Sequence, residues 1–250
     1  MFLSFGRSLV GLWILCWGIS SAAAHQKGAN PIADPEQIIE LARKYYGPAE
    51  ALDSVETIYY EGEVLDPKGE ARNGLFRLFL KKPFFQRMEL QLGNVVTINC
   101  TNGTEGYRLQ VNKKTGAKKL SILPPIRVET LIISSLENLN FLRETKHRRR
   151  DVRYVDKVDF QGQTCYKLEF RYSENLKYER LINAQTGRVM QVVDHRGVSM
   201  YNRGEIFSEG VRFTKIVESY RDNQHLNTLQ FNLVLLNKPI HESFFDFPDL

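Results

Sequence analysis

Residues 74–89 read Gly-Leu-Phe-Arg-Leu-Phe-Leu-Lys-Lys-Pro-Phe-Phe-Gln-Arg-Met-Glu. Leu75 to Leu80 is dense in residues that favour extended backbone, and the pattern resumes after Pro83. Proline cannot donate a ladder hydrogen bond, so Lys81-Lys82-Pro83 predicts a corner between two adjoining strands. Four phenylalanines, Phe76, Phe79, Phe84 and Phe85, fall inside this segment and must be either buried or used to hold something apolar. No catalytic motif competes with it. The stretch therefore points to binding.

Working outward, the same two-residue period predicts strands at 55–64, 73–80, 86–92 and 95–100. Asn102-Gly103 is a turn signal ahead of a strand at 107–111. Farther on, Tyr166, Leu168, Phe170 and Tyr172 alternate with Lys167, Glu169 and Arg171, which predicts one covered face and one wet face. Strands continue from Val152 and at 180–183, 189–194, 211–220 and 228–236. About ten strands in series make a meander.

Two helices interrupt the strand pattern. Asp34 can cap a helix whose first residue is Pro35, with Ile38, Leu41, Ala42 and Tyr45 at helical spacing and Gly47 to end it. Pro124-Pro125 opens the second, 126–142, with Leu131, Ile132, Leu136 and Leu139 on one stripe. The fold class expected is α+β and mostly β, an antiparallel meander with two helices.

Composition limits the function. Across 250 residues the net charge is +5, with 42% hydrophobic and 25% charged residues, an ordinary globular balance that does not call for nucleic acid. Residues 1–24 carry Arg7, an apolar run and Ala22-Ala23-Ala24, the pattern of an export signal, which leaves 25–250 as one domain. Cys100 and Cys165 then either pair or stay as thiols, since spacing alone does not bring their Cα atoms within about 7 Å. The histidines lie apart and Asp194-His195 sits on a strand whose neighbours point to opposite faces, so no hydrolytic dyad is formed. The run Lys146-His147-Arg148-Arg149-Arg150 reads as a solvated loop, with contact to anionic lipid as the alternative.

In its order of elements the chain resembles the periplasmic outer-membrane lipoprotein carriers and lipoprotein-sorting proteins of the Lol type. The resemblance rests on Lys81-Lys82-Pro83 with Arg87 and Glu89 after the corner, and on Asn102-Gly103 followed by Tyr107. It rests also on Leu236-Asn237-Lys238-Pro239-Ile240 with Phe245-Asp246-Phe247-Pro248 beyond. It implies an unclosed half-barrel whose concave apolar face, lidded by helices 35–46 and 126–142, holds acyl chains. Leu75, Phe76, Leu78, Phe79, Phe84, Phe85, Leu131, Ile132 and Leu136 would line the pocket. Lys82, where many carriers have arginine, would latch the lid with a point charge in place of a planar fork.

The resemblance further implies a periplasmic monomer without catalysis, cofactor or metal. Its partners would be lipid or lipoprotein acyl chains, inner- and outer-membrane envelope proteins and, transiently, the membrane surface. The alternative is a periplasmic sensor or structural module that uses the same fold to bind a partner protein.

Overall fold

The computed structural model describes residues 34–69, 73–144 and 150–248; the expected export signal and residues 146–149 of the basic run lie outside the described residues. The chain begins with helices α1 (Pro35–Tyr46) and α2 (Ala49–Asp53), then six strands, β1 (Thr57–Leu65), β2 (Gly74–Lys81), β3 (Phe85–Leu92), β4 (Val95–Thr101), β5 (Gly106–Asn112) and β6 (Lys118–Ile122). Helix α3 (Pro125–Asn140) follows. Seven more strands complete the fold: β7 (Asp151–Phe160), β8 (Gln163–Ser173), β9 (Leu176–Asn183), β10 (Val189–Val193), β11 (Ser199–Ser208), β12 (Val211–Arg221) and β13 (Gln224–Leu236).

All 13 strands join one sheet in the order β6-β5-β4-β3-β2-β1-β13-β12-β11-β10-β9-β8-β7. Every neighbouring pair is consecutive in sequence except β1 with β13, so two meanders meet at that antiparallel seam. β6 and β7 lie at opposite ends and do not pair, which leaves the curved sheet an open half-barrel. Helix α3 carries the chain from one edge to the other, and it does so across one face of the sheet, called here the helix face.

β2 and β3 meet at the Lys-Lys-Pro corner, in the register Phe76↔Leu90, Leu78↔Met88 and Leu80↔Gln86. The alternation in β8 holds: Leu168 and Phe170 are fully buried beneath α1. On the other side of β8, Glu169 is also covered, by Arg153 and Arg171 at 2.7 and 3.1 Å. The two edge strands are blunted by charge, Lys118 and Lys119 in β6 and Asp151, Arg153, Asp156 and Lys157 in β7. Among the described residues no helix is long and apolar enough to cross a membrane.

Three elements escape the sequence pattern. β6 pairs on one side only, so Lys-Lys-Leu-Ser-Ile needs no buried face. β11 carries Gly204 and a half-exposed surface on both sides. α2 has five residues, too few for a periodicity to register.

The buried face of α1 is also turned from the one expected. Asp34 caps the helix through Glu36 N at 3.0 Å, yet the buried residues are Ile38, Ile39, Ala42 and Arg43, with Leu41 and Tyr45 only half-buried. The arginine can go inside because its charge is fully paired. Gly187, at φ +79°, lets the β9–β10 turn press on this helix: a Cβ there would lie 2.2 Å from the Leu41 carbonyl oxygen.

Candidate functional site: the apolar floor beneath helix α3

The floor beneath α3 is built by alternation. Tyr60 from β1, Phe76 from β2, Phe213 from β12 and Phe231 from β13 all point to the helix face. Tyr60 lies 5.2 Å from Phe231 and 5.7 Å from Phe213, and Phe76 lies 5.9 Å from Phe231, ring centre to ring centre. Leu139 and Phe141 of α3 close over this cluster, and Ile133 enters a second one with Leu176 and Tyr178. The packing leaves little room. The cavity at the C-terminal end of α3, among Leu136, Glu137, Leu142, Arg143, Arg150 and Tyr172, is about 10 Å³, no more than one water molecule.

Polar groups hold α3 from both the sheet and α1. The Ser135 hydroxyl donates to the Phe85 carbonyl at 3.0 Å. Glu137 makes an ion pair with Arg180 of β9 and accepts from the Tyr172 hydroxyl. Arg43 of α1 donates to the carbonyls of Asn140 at 2.7 Å and Phe141 at 3.3 Å, the end of α3 where unsatisfied carbonyls collect. Its second nitrogen reaches Asp53 of α2 at 2.8 Å, and Arg143 reaches the same carboxylate at 2.6 Å.

The ionisation of these groups follows from their surroundings. Burial works to raise the Asp53 carboxyl, but hydrogen bonds from Arg143 and Arg43 hold it below the usual carboxylate range. Burial pushes the Tyr172 phenol well up, and the Glu137 charge pushes it further. Burial works against the Arg180 charge, but Glu137 together with Tyr172, Tyr46 and Tyr178 outweighs it and raises the group. Arg180 also lies over the Phe170 ring, 4.2 Å from its centre.

The structure divides the predicted lining residues. Phe76, Leu78 and Leu136 lie on the helix-face side, the first two in the floor cluster. Leu131 and Ile132 are half-buried on α3 and outside the core clusters, because Val128, Ile133 and Leu136 turn inward instead. Leu75, Phe79 and Phe85 are a correction: they point to the outer face. A strand sends successive side chains to opposite sides, and Phe79 pairs across with Arg87 while Phe76 pairs with Leu90. Phe84 sits in the corner with its ring against the Asn102-Gly103 turn.

The outer face has its own cover. After β13 the chain is tied by Asn237 Oδ1, which accepts from Glu56 N at 2.7 Å, and by Lys81 Nζ, which donates to the Ile240 carbonyl at 3.0 Å. The tail then lays Phe244 on Phe79 at 4.9 Å, Phe245 on Phe85 at 5.3 Å and Phe247 on Tyr107 at 5.0 Å. Arg87 stacks on Phe244 at 4.4 Å. Cys100 is buried under Phe245, and both Cys100 and Cys165 are free thiols.

Lys82 is a second correction. It donates to the Asp53 carbonyl at 3.2 Å and approaches Glu56 at 3.3 Å, so among the described residues its polar contacts fasten the β2–β3 corner to the α2–β1 junction and not to α1 or α3. The grip on α3 belongs to Arg43, Ser135, Glu137, Tyr172 and Arg180, none of them predicted. Arg180 did leave a trace: it takes a helix-face position between Tyr178 and Ile182 where the period calls for an apolar residue. Arg150, expected in a solvated loop, has a side chain only 3% exposed. Asp194 is occupied in a turn, accepting from Arg196 N and Val198 N, each at 2.9 Å. Among the described residues no three His, Cys, Asp or Glu side chains gather as a metal site.

An open antiparallel half-barrel with a helix crossing one face of its sheet is the architecture this chain defines. The same fold occurs in a DUF1329 family protein from Desulfovibrio piger, with TM-score 0.55 and 10% identity over 86% of this chain and 98% of that one. It occurs also in a putative outer membrane lipoprotein-sorting protein domain from Vibrio parahaemolyticus, with TM-score 0.55 and 12% identity over 85% and 97%. A LolA superfamily protein from Nitrosomonas europaea aligns over 86% and 98% at TM-score 0.46 and 10% identity. No protein-family model matches the sequence, and neither does any curated protein. The Lol-type likeness read from the sequence is thus a likeness of fold.

Proposed function

We propose that this protein is a noncatalytic periplasmic binding protein that holds acyl chains of a lipid or lipoprotein between the floor of its half-barrel and α3, in lipoprotein sorting toward the outer membrane. One observation carries the reading: α3 crosses an aromatic floor and is held over it by polar contacts from the sheet and from α1. Magnitudes favour opening by ligand. A sixteen-carbon acyl chain transfers about 15 methylenes at ~0.8 kcal/mol each, roughly 12 kcal/mol in all. The three attachments together contribute about 6 kcal/mol, at ~1 for a neutral hydrogen bond and ~1.5–3 for a charged one. The acyl chain also replaces the apolar contacts that α3 gives up, so the closed and open states can exchange with ligand.

The fold of the Vibrio parahaemolyticus lipoprotein-sorting domain supports the cargo class, and the sequence of residues 1–24 supports the compartment. Native mass spectrometry of protein extracted gently from the bacterial envelope tests the reading. Bound lipid and uptake of a fluorescent fatty acid are expected. Repeated recovery of lipid-free protein that takes up no fatty acid would sink it.

A further inference from the structure

Two guanidinium groups lie against the ring of Phe170, which α1 covers, Arg180 at 4.2 Å and Arg150 at 5.8 Å from its centre, and Arg180 reaches from there to Glu137 of α3. Their side chains are 4% and 3% exposed. One buried carboxylate serves them, that of Glu137, and it is bonded to Arg180 and to the Tyr172 hydroxyl. Among the described residues Arg150 pairs with Glu36 of α1, at 3.4 Å and 64% exposed. Among the described residues Arg180 Nη1, Arg150 Nε and Arg150 Nη1 are buried with no hydrogen-bond partner. Arg150, Glu137 and Tyr172 face the small cavity at the end of α3, with the exposed Arg143 and Glu144 at its rim.

The charges are divided between two bodies. Both arginines belong to the sheet side, Arg180 in β9 and Arg150 at the start of β7, while the carboxylate rides on α3. A purely structural ion pair would need one arginine; a second buried guanidinium with open donors exceeds that need. When α3 lifts, Glu137 leaves with it, and two buried cations face whatever enters. A neutral amphiphile leaves them uncompensated. An anionic one takes over the position of the Glu137 carboxylate, and the planar forks of Arg150 and Arg180 suit bidentate carboxylate or phosphate.

Resting on the acyl-binding reading, we infer that the site selects amphiphiles with an anionic headgroup, carboxylate or phosphate, whose charge replaces Glu137 on Arg180 and Arg150. Glu137 is then an internal stand-in for the headgroup in the closed state.

The test titrates the full chain with palmitate and with hexadecanol, which share a chain length and differ in charge, and separately with inorganic phosphate. Palmitate should bind about tenfold or more tighter than hexadecanol. In Arg150→Gln, and in the double variant Arg180→Met with Glu137→Leu, which removes a buried cation together with its buried anion, that ratio should fall toward one. Circular dichroism and melting confirm that each variant is folded. Equal binding of the two amphiphiles by wild type, or an undiminished ratio in the folded variants, would overturn the inference while leaving acyl binding intact. Inorganic phosphate should compete with palmitate only weakly; tight phosphate binding that does not exclude palmitate would overturn it too, by assigning the arginines to a free anion. Binding of neither amphiphile would remove the acyl reading and this inference with it.

Discussion

Arg43 of α1 bonds both the end of α3 and Asp53 of α2, and Arg43→Met is the sharpest test of how α3 is held. The substitution keeps the aliphatic stem and removes the donors to Asn140 O, Phe141 O and Asp53, at 2.7, 3.3 and 2.8 Å. The Asp53 bond is half-exposed and adds little. The two carbonyl bonds are charge-assisted, buried and placed where the helix dipole favours a cation, so the loss is about 3 kcal/mol. If all of it falls on lifting α3, the open population rises about 100-fold.

Hydrogen exchange with mass spectrometry reads this directly. Amides of α3 should lose protection by that factor while those at the β1–β13 seam do not change. Arg43→Lys should fall between, since one ammonium cannot span both carbonyls and the carboxylate. If the loss is global instead, the melting temperature falls by about 6–12 °C for a chain of this size. Wild-type protection in α3 together with an unchanged melting temperature in Arg43→Met would refute the role given to this residue.

Other consequences follow from single contacts. Gly187→Ala drives a Cβ to within 2.2 Å of the Leu41 carbonyl at φ +79°, while Gly116→Ala meets nothing within 4 Å at φ +71°. Urea unfolding should therefore show a loss of about 1 kcal/mol for the second and clearly more for the first. Phe245→Ala uncovers Cys100, so its thiol should react with a disulfide reagent many-fold faster at pH 8, with Cys165 unchanged; equal rates would mean that the C-terminal tail does not shield it. Burial pushes Cys100 up to about 11 and Tyr46 up to about 12. Both stay neutral when folded and ionise when unfolded, so the unfolded chain binds fewer protons and stability falls with pH. Between pH 9 and 11 the loss from Cys100 alone approaches ~1.4 kcal/mol per unit, with Tyr46 adding above pH 10; a flat stability across that window would contradict the burial of both groups.

The strands and the two longer helices were legible because they depend on local periods, while the open half-barrel was implied by the Lol-type resemblance in element order. Residues 74–89 announced two strands and a corner, and 126–142 a helix close to the observed α3. The lining set was less legible. Phe76 and Phe79 are three positions apart in one strand, so they face opposite ways, and composition cannot say which face a helix covers and which the tail covers. Lys82 shows the same limit: its reach to Asp53 depends on where α2 is placed, and α2 is too short to be read.

By itself, then, the sequence determined the succession of strands, the position of the crossing helix, the Asn102-Gly103 turn and the presence of more aromatic rings than one buried face accounts for. These are properties of neighbouring residues, governed by backbone preference and alternation. Only the tertiary structure decided that the rings are shared between two faces, that Arg43 and not Lys82 grips α3, and that Arg150 and Arg180 lie against Phe170 with one carboxylate of α3. Each of these joins residues far apart in the chain, such as Arg43 with Asn140 and Glu137 with Arg180. Their energies come from burial and pairing that exist only after the sheet has curled and α3 has crossed it.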